Sequence, residues 1–514
     1  MNGAEALLKT LADNGVEVCF ANPGTSEMQM VAALDREPRV RPVLCLFEGV
    51  ATGAADGYAR MAGKPASTML HLGPGLGNGT ANLHNARRAY TPVINLIGDH
   101  ATYHLKNDAP LASDIQSLAR PNSVWVKSAT TAEDAVALGV EAWTAAQAAP
   151  GGPASLILPA DTMWTETEAK GTIAKKPVAA SAPSARIEAA AKALKAAKKP
   201  LLLVGSPSLT EQGLAALGRI AATGVRVMTD TFVARIPRGA GRYAPDRMLY
   251  FGEMAMADLG AADLMVYCTT KPPAAFFAYP DAPLLLIPEG CATETLAELT
   301  ENGPAALLAL ADALGAPEAY AKAELAIPGA APTGELTPYT IGASIARHLP
   351  EHAVVSDDAV TAGLPCFMTT AGARPHDWLM LTGGAIGQGI PCAVGAALGA
   401  PGRKVLSLNG DGAGAYTVQG LWSMVRENLP VVTVMFANHA YRILNIEMSR
   451  TRSGNAGPQS RKLLDLGDPR MDWVSLAKGF GMPAVRVETA EAFDAALARA
   501  LAGDGPSLIE AVLG

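Results

Sequence analysis

A glycine-flanked aspartate between two apolar segments is the feature that most constrains how this chain folds. Residues 404–408 predict a short buried strand, and Gly410-Asp411-Gly412 then predicts a turn. Apolar residues at helical spacing follow, and Pro430 prevents that helix from running further. Residues 431–436 predict a second apolar strand, and the order strand, helix, strand favours two parallel neighbours joined by a crossover. This part of the chain is therefore predicted to be a doubly wound α/β domain with a parallel sheet.

Oxygen ligands stand at the carboxyl ends of both predicted strands. Asp411 follows the first strand and Asn438 follows the second, and parallel α/β units bind ligands at this edge. A carboxylate and an amide oxygen suit a hard cation such as Mg²⁺ or Ca²⁺, which needs further oxygens. The amides of Gly412 and Ala413, with the helix N-terminus behind them, favour an anion. The pattern predicts a metal-diphosphate site, although an isolated Gly-Asp-Gly would indicate only a turn.

This pattern resembles the thiamine diphosphate (ThDP) binding motif of ThDP-dependent enzymes. In that family the Asp and Asn side chains bind Mg²⁺, together with the backbone carbonyl two residues after the Asn. The resemblance therefore implies Asp411, Asn438 and Ala440 as metal ligands. The cofactor-binding residues implied at this motif are Gly410, Asp411, Gly412, Ala413 and Asn438.

The N-terminal third of the chain carries a matching acidic residue. Residues 43–47 predict a buried strand that Glu48 ends, and residues 49–60 predict a helix of small residues. Glu48 and the later Gly57-Tyr58-Ala59-Arg60 resemble the pyrimidine-binding domain of the 2-oxo acid decarboxylase and acetolactate synthase branch. In that branch the Glu hydrogen-bonds the pyrimidine and promotes the tautomer that deprotonates C2, which implies this role for Glu48. Alone, Glu48 would be interpreted as a helix-start carboxylate, worth about 0.3–1 kcal/mol.

Two residues of the N-terminal third bear on the reaction. The segment Asn22-Pro23-Gly24-Thr25-Ser26-Glu27 resembles the loop of benzoylformate decarboxylases whose Ser binds the substrate carboxylate, which implies Ser26. A Ser that caps the following helix is the structural alternative. His71 follows an apolar strand and is similar in place to the His that relays protons in those decarboxylases. A histidine at a strand end also occurs for purely structural reasons.

The resemblance implies two further contacts with the cofactor. Gly383-Gly384-Ala385-Ile386 matches the segment that supports the V-shaped cofactor, with Ile386 as the support and the Gly384 carbonyl facing the 4′-amino group. The alternative is that Ile386 belongs to the ordinary core. Residues 357–361 resemble the first diphosphate-binding loop, which implies Thr361 as a phosphate ligand.

Other positions give mixed signals about the branch. Gly73-Pro74-Gly75 is similar to the acetolactate synthase version of its loop, whereas Asp108-Ala109-Pro110-Leu111 departs from the Phe-Gln pair of those synthases. Phe277 stands where benzoylformate decarboxylases place a second active-site His. His100 and His104 resemble the paired histidines of pyruvate and indolepyruvate decarboxylases, at a different spacing, and a surface loop is the alternative for both.

Two segments without apolar periodicity divide the chain. Residues 166–186 and 326–338 are rich in Ala and Pro and predict linkers. The three blocks that remain agree with the number of domains expected for 514 residues. By resemblance they are a ThDP pyrimidine-binding domain (1–165), a central Rossmann-like domain (187–325) and a ThDP diphosphate-binding domain (337–514). In the central block we predict strands over residues 200–205, 225–230, 264–268 and 282–287.

Composition excludes several classes of function. A net charge of −7 and a pI near 5.7 argue against nucleic acid or an anionic membrane as a partner. No apolar run approaches the ~18 residues of a membrane span, and the first residues lack a signal pattern. We therefore expect a soluble cytoplasmic protein, in which the six scattered cysteines are reduced and buried.

The sequence thus predicts a ThDP- and Mg²⁺-dependent lyase that decarboxylates a small-molecule 2-oxo acid, with carboligation to an aldehyde as a further possibility in the family. The cofactor of that family lies between two subunits, which implies a homo-oligomer, either a dimer or a dimer of dimers. The first alternative is an acetolactate-synthase-like carboligase that uses pyruvate as donor. The second is a non-catalytic nucleotide-binding or regulatory protein on the same scaffold, since a fold does not fix a function.

Overall fold

The structure is a computed structural model that describes residues 1–280, 282–451 and 457–514. It consists of three α/β domains built on parallel sheets, which confirms the predicted fold class. We keep the predicted ranges 1–165, 187–325 and 337–514 as names for the N-terminal, central and C-terminal domains.

The N-terminal domain is a six-stranded parallel sheet with helices on both faces, in the order β2-β1-β3-β4-β6-β5. Strands β3, β4 and β6 are buried along their whole length because both faces of the sheet are covered. Its elements are α1 Gly3–Asp13, β1 Val18–Asn22, α2 Met28–Leu34, β2 Arg41–Leu44, α3 Glu48–Ala62, β3 Ala66–Leu70, α4 Leu72–Arg88, β4 Val93–Asp99, α5 Ile115–Ala119, β5 Trp125–Ser128, α6 Ala132–Gln147, β6 Pro153–Pro159 and α7 Ala160–Trp164.

The central domain has a five-stranded sheet in the order β10-β8-β7-β11-β12. Its elements, including a short strand that joins the neighbouring domain, are α8 Ser184–Ala196, β7 Pro200–Val204, α9 Glu211–Ala221, β8 Arg226–Thr229, β9 Ile236–Arg238, β10 Asp246–Arg247, α10 Gly252–Leu259, β11 Leu264–Cys268, β12 Ala292–Ala297 and α11 Gly303–Leu314.

The strand predicted over residues 282–287 is wrong. Leu285 makes only an isolated bridge with Ala274, and β12 is the strand that pairs with β11. Pro283 and Pro288 lie in and beside the predicted segment, and proline cannot donate to a sheet. The apolar run therefore forms part of a loop, and the later Thr-containing segment takes its place in the sheet.

The C-terminal domain has a seven-stranded sheet in the order β17-β18-β16-β15-β13-β14-β9. Its edge strand β9 comes from the central domain and pairs antiparallel with β14. The elements of the domain itself are α12 Pro338–His348, β13 Val354–Asp358, α13 Gly363–Thr369, β14 His376–Met380, α14 Gly389–Gly399, β15 Val405–Gly410, α15 Asp411–Gly414, α16 Gly420–Arg426, β16 Val431–Ala437, α17 Arg442–Arg450, α18 Pro458–Leu464, α19 Trp473–Gly479, β17 Ala484–Val487, α20 Ala490–Ala502 and β18 Ser507–Val512.

The strand-helix-strand unit predicted around Gly410-Asp411-Gly412 is present, with one difference. The strands β15 and β16 pair in parallel, as predicted. The single helix expected between them is divided into α15 and α16, and a 3-10 turn, Ala415–Thr417, begins the connection. α16 ends at Arg426, before Pro430.

The N-terminal and C-terminal domains meet where α3 crosses α14. The two helices approach at backbone distance, because a Cβ on Gly57 would lie 2.0 Å from the Cys392 carbonyl oxygen. Beside this crossing, Arg60 pairs with Asp56 and both side chains are buried.

Arg60 also donates hydrogen bonds to both of the other domains. Its Nη1 lies 3.0 Å from the Ala234 carbonyl oxygen of the central domain and 2.7 Å from the Met380 carbonyl oxygen of the C-terminal domain. One side chain therefore links all three domains.

All six cysteines are free thiols, and five of them are buried while Cys291 is half-buried. Within the described ranges, no helix has the length and apolar character needed to span a bilayer.

Candidate active site

The carboxyl edge of the N-terminal sheet brings Glu48 beside α4. The preceding strand ends at Leu44, so Glu48 opens α3 and does not end a strand as predicted. Its side chain is 6% exposed, and Asn78 Nδ2 on α4 donates a hydrogen bond to Glu48 Oε2 at 2.9 Å. The carboxylate is thus held in one orientation at the sheet edge.

Glu27 and His71 form a hydrogen-bonded pair at the same edge. Glu27 is fully buried, and its Oε2 lies 2.9 Å from His71 Nδ1. Since a carboxylate only accepts hydrogen bonds, Nδ1 carries the hydrogen and Nε2 is left for another partner. The same Oε2 accepts from the Gly24 backbone amide at 2.7 Å. A buried acceptor therefore orients the imidazole.

Ser26 belongs to this cluster. Its Oγ donates to Glu27 Oε1 at 2.5 Å and lies 3.3 Å from His71 Nδ1. The alternative in which Ser26 caps the following helix is wrong, because α2 begins at Met28 without a side-chain cap. The role of Ser26 as the carboxylate-binding residue stays a prediction.

Glycines make room for these side chains. A Cβ on Gly75 would lie 3.1 Å from Glu48 Oε1 and 3.3 Å from His71 Cβ, so Glu48 and His71 flank the same position. A Cβ on Gly98 would lie 1.7 Å from Glu27 Oε1. Gly75, in the glycine run after His71, thus has a packing role beside both side chains.

Glu27 is not among the functional residues predicted from the sequence. The signal was present, since Glu27 directly follows Ser26 in a short segment between a strand and a helix. In the structure its carboxylate accepts a hydrogen bond from the Gly24 amide and binds His71 at the same time. Only the packing of β1 against β3 brings these two residues together.

One face of α4 connects the two outer domains. His71, Gly75, Asn78, Asn82 and Asn85 recur at alternating intervals of four and three, which places them on one side of the helix. The first three, His71, Gly75 and Asn78, lie beside Glu27 and Glu48 of the N-terminal domain. The last two face the C-terminal domain.

Asn85 holds the segment predicted to support the cofactor. Its Nδ2 donates to the Ala385 carbonyl at 2.8 Å, and its Oδ1 accepts from the Ala385 amide at 3.2 Å. Gly384 is exposed with φ +74°, and Ile386 is half-buried. Gly384 thus has the left-handed conformation that favours glycine. The contacts of Gly384 and Ile386 with a cofactor stay predictions.

The two histidines after β4 lie farther along the same sheet edge. The rings of His100 and His104 are 5.4 Å apart, and His100 Nε2 is buried without a hydrogen-bond partner among the described residues. His104 Nδ1 binds Asn107 in an exposed turn. Phe277 is 56% exposed and lies on a loop of the central domain.

The carboxyl edge of the C-terminal sheet brings Asp411 and Asn438 together. Asp411 is 2% exposed, its Oδ1 accepts from the Gly412 amide at 2.8 Å, and its Oδ2 accepts from the His439 amide at 2.7 Å. Asn438 Oδ1 accepts from the Ala440 amide at 3.0 Å. The hydrogen bond from His439 to Asp411 thus joins the two strand-end turns that carry these side chains.

This donor set fits a hard divalent cation. Both Asp411 oxygens keep lone pairs beyond the backbone hydrogen bonds, and Asn438 adds an amide oxygen. Burial raises the pKa of Asp411, which a bound cation would counteract. No cluster of three or more His, Cys, Asp or Glu side chains suited to a metal occurs in the described part of the chain. Mg²⁺ would therefore need oxygens from a diphosphate as well.

Asp358, beside the predicted phosphate ligand Thr361, orders the start of α14. Its Oδ2 accepts from the backbone amides of Gly387, Gln388 and Gly389 at 2.9, 3.0 and 3.1 Å. Burial raises the pKa of Asp358 to about 7. Thr361 itself is half-buried in the loop after β13, and its contact with a phosphate stays a prediction.

A cavity of about 510 Å³ lies between the N-terminal and central domains. Its walls include Arg60, Tyr90, Ser206 and Arg235. None of the predicted site residues lines it.

Two family models match the outer parts of the chain. Residues 1–118 match the family model described as "Thiamine pyrophosphate enzyme, N-terminal TPP binding domain". Residues 365–511 match "Thiamine pyrophosphate enzyme, C-terminal TPP binding domain". The chain belongs to the thiamine pyrophosphate enzyme family. Thiamine pyrophosphate is thiamine diphosphate, so the resemblance stated from the motifs is confirmed.

Relatives of this thiamine pyrophosphate enzyme fall on both sides of the decarboxylase and synthase division. The chain is 50% identical to "Putative acetolactate synthase large subunit IlvX" of Mycobacterium tuberculosis, over 100% of this chain and 99% of the relative. It is 27% identical to benzoylformate decarboxylase of Pseudomonas aeruginosa, over 98% and 97% of the two chains. A solved structure of a ThDP-dependent 4-hydroxybenzoylformate decarboxylase from Rhodococcus jostii RHA1 superimposes with a TM-score of 0.87. That chain is 23% identical and covers 100% of this one and 99% of itself, which supports the shared fold.

Membership in the family fixes some predictions and leaves others open. The chain contains both ThDP-binding domains of a ThDP-dependent enzyme of the decarboxylase and acetolactate synthase group. The Mg²⁺ ligands, the individual catalytic residues and the exact reaction stay predictions.

Proposed function

We propose that this chain is a ThDP- and Mg²⁺-dependent lyase that decarboxylates a small 2-oxo acid and also joins the resulting carbanion equivalent to an aldehyde. The hydrogen-bonded pair of His71 and Glu27 beside Glu48 carries the proposal. Decarboxylation to a free aldehyde requires a proton donor at the substrate, and an imidazole held by a buried carboxylate is suited to this task. The resemblance to the family implies a homodimer or a dimer of dimers, and we include this assembly in the proposal. Mass photometry measures the number of subunits.

Each residue at the edge has a distinct role in the proposal. Bound ThDP supplies the electron sink that stabilises the charge left when CO2 departs. Glu48, oriented by Asn78, accepts a hydrogen bond from the pyrimidine and holds the proton there. Ser26 binds the substrate carboxylate, and His71 transfers a proton at Nε2 while Glu27 keeps its Nδ1 oriented.

In the proposed homo-oligomer, the C-terminal edge of a neighbouring subunit binds the other end of the cofactor. Asp411, Asn438 and the Ala440 carbonyl would hold Mg²⁺, and the amide of Ala413 would bind the diphosphate, with the amide of Gly412 available to it once the bond to Asp411 Oδ1 is released. Thr361 contributes to the same phosphate site. Ile386 and Gly384 support the cofactor at the segment that Asn85 holds.

Two variants test the N-terminal edge. We expect Glu48→Gln to lower kcat about 1000-fold for any accepted 2-oxo acid, because the essential acid-base group is lost, while ThDP still binds. Glu27→Gln should lower kcat about tenfold with little change in KM, since the amide cannot accept all the hydrogen bonds that orient His71. Glu17→Gln, at a side chain that is 57% exposed, is the control and should match the unaltered protein. A Glu48→Gln variant with full activity and bound cofactor would refute the proposal.

A carboligase reaction is the second candidate. The 50% identical relative, whose printed name gives an acetolactate synthase large subunit, supports it, as does the Gly73-Pro74-Gly75 loop. The departure at Asp108-Ala109-Pro110-Leu111 argues against it. With pyruvate alone, an acetohydroxy acid as the main product identifies a synthase, whereas free aldehyde identifies a decarboxylase. ThDP titration by calorimetry, compared with NAD, FAD and ADP, separates both from a non-catalytic nucleotide-binding protein.

A further inference from the structure

The helix that follows the predicted metal-binding segment has an unusual attachment. No residue of α17 is buried. The helix begins at Arg442, directly after Tyr441. The Tyr441 ring packs against Gly412, since a Cβ on Gly412 would lie 2.4 Å from Tyr441 Cε1. Displacement of α17 would therefore pull on both strand-end turns of the predicted metal site.

Three contacts attach α17 to the central domain. The Tyr279 hydroxyl donates to Glu447 Oε2 at 2.5 Å. Arg450 Nη2 donates to both oxygens of Glu253, at 2.6 and 2.5 Å, and the guanidinium carbon lies 4.0 Å from the centre of the Phe251 ring. We call these five residues the α17 clasp.

Two of the three charged side chains in the clasp are partly shielded from solvent, whereas the Glu253 side chain is 59% exposed. The side chains of Glu447 and Arg450 are 14% and 22% exposed, and they also bind each other at 2.9 Å. The hydrogen bond to Glu447 raises the pKa of Tyr279 to about 12, so the hydroxyl stays a donor at neutral pH. Charge-assisted bonds in such surroundings are stronger than exposed ion pairs. The clasp can therefore hold a helix that has no buried side chain.

The metal-binding segment itself needs support. His439 has φ +55°, in the left-handed region that residues with a side chain seldom adopt. Such a conformation persists where the surrounding structure holds it. On the C-terminal side of His439, Ala440 forms an isolated bridge with Asp465. α17 follows on the same side of the segment.

We propose that the α17 clasp positions the metal-binding segment, so that Tyr279 and Glu253 of the central domain set Asn438 and Ala440 for the cation. This inference rests on the proposed function and deepens it, since it gives the central domain a part in metal binding. That domain contains none of the residues predicted to bind the cofactor. Tyr279 and Glu253 act through α17 and are positioning residues.

Removal of one hydroxyl tests the proposal in the full chain. Tyr279→Phe keeps the ring and deletes the bond to Glu447. Tyr267→Phe is the matched control, because the Tyr267 hydroxyl is buried in the same domain without a hydrogen-bond partner among the described residues. We expect the amides of α17 to exchange with deuterium about tenfold faster in Tyr279→Phe, and those of α4 to be unchanged.

The second readout is the binding of ThDP at graded Mg²⁺, followed by calorimetry. The Mg²⁺ concentration for half-maximal ThDP binding should rise about tenfold in Tyr279→Phe, in the range found for residues that orient metal ligands. Saturating Mg²⁺ should restore ThDP affinity, which a general loss of structure would not allow. Glu447→Gln keeps an acceptor for the Tyr279 hydroxyl. The Mg²⁺ concentration it needs for half-maximal ThDP binding should therefore lie between those of the unaltered protein and Tyr279→Phe.

The outcomes are distinguishable. Unchanged Mg²⁺ dependence in Tyr279→Phe overturns the inference, whether or not α17 exchanges faster. Failure of the unaltered protein to bind ThDP with Mg²⁺ refutes the proposed function instead. The exchange of α17 in the same samples then still reports whether the clasp holds the helix.

Discussion

The two sheet edges that carry the predicted site residues are built in opposite ways. At the N-terminal edge, buried Glu27 accepts hydrogen bonds from Gly24, Ser26 and His71. At the C-terminal edge, Asp411 accepts only from backbone amides among its hydrogen bonds within the described residues. The first edge fixes side chains against side chains, whereas the second is a turn whose oxygens still face a ligand. The acid-base groups are thus held in place before any ligand binds, whereas the predicted metal site needs further oxygens from its ligand.

The difference has an energetic consequence. A carboxylate buried among its own donors costs little to keep oriented, because its desolvation is offset by hydrogen bonds. Asp411 is desolvated by burial, which raises its pKa. We therefore expect changes at the N-terminal edge to act on turnover and changes at the C-terminal edge to act on binding.

The largest expected effect concerns the link that holds both edges in one body. Arg60→Met leaves Asp56 as a buried charge without its partner and removes the bonds to the central and C-terminal domains. We expect a loss of about 3–5 kcal/mol in unfolding free energy, measured by urea denaturation.

An exposed ion pair between the two outer domains provides the control for Arg60. Arg41 pairs with Glu427 across the two domains, and the Arg41 side chain is 53% exposed. Arg41→Met should cost at most about 1 kcal/mol. Equal losses in the two variants would contradict the central position we assign to Arg60.

The next effect separates the two edges directly. Asp411→Asn keeps the shape and one hydrogen-bond acceptor but removes the only full negative charge of the predicted metal site. We expect the Kd of ThDP in the presence of Mg²⁺ to rise at least about 100-fold by calorimetry, a larger effect than the typical loss of an outer-shell residue. Asp504→Asn, at an exposed position, should bind like the unaltered protein. Tight binding by Asp411→Asn would place the metal elsewhere.

The parts of the fold that the sequence predicted are those set by local pattern. The runs ahead of Asp411 and Asn438 are apolar and end at turn residues, so β15 and β16 were placed within two residues of their observed ends. Parallel order then brings such strand ends to one edge, which is why these two side chains were expected together.

Long-range partners could not be predicted in this way. Nothing near Asn85 in the sequence indicates that it binds Ala385, and Glu27 finds His71 only through the pairing of β1 with β3. The insertion of β9 beside β14 likewise depends on how two domains dock. The strand over residues 282–287 was predicted wrongly for a different reason. The prediction gave more weight to the apolar residues of this segment than to its two prolines.

A pH-dependent effect of intermediate size is expected at Asp358. Its folded pKa is raised to about 7 from 3.8 by burial, so the folded chain keeps a proton that the unfolded chain has released. The contribution of Asp358 to stability should therefore be highest below about pH 4, fall as the pH rises to about 7, and be flat above. In Asp358→Asn this component is absent, and the decline between pH 5 and 7 should be smaller by about 1–2 kcal/mol. Denaturation at several pH values, without ThDP or Mg²⁺, measures it. Identical pH profiles would show that Asp358 ionises normally despite its burial.

The smallest expected effect comes from a comparison of alanine substitutions at two glycines of the same helix. A Cβ on Gly75 would press on Glu48 Oε1 and His71 Cβ at 3.1 and 3.3 Å, whereas a Cβ on Gly77 would meet nothing within 4 Å. Both lie in α4, where alanine is favoured over glycine by about 0.5–1 kcal/mol. Gly77→Ala should therefore gain stability and keep its activity. Gly75→Ala should lower kcat about tenfold, since a small displacement of a catalytic group is costly, while its unfolding free energy changes little. If both variants turn over 2-oxo acid alike, Glu48 and His71 do not require the placement that the N-terminal edge gives them, and the contrast between a prearranged edge and one completed by its ligand no longer holds.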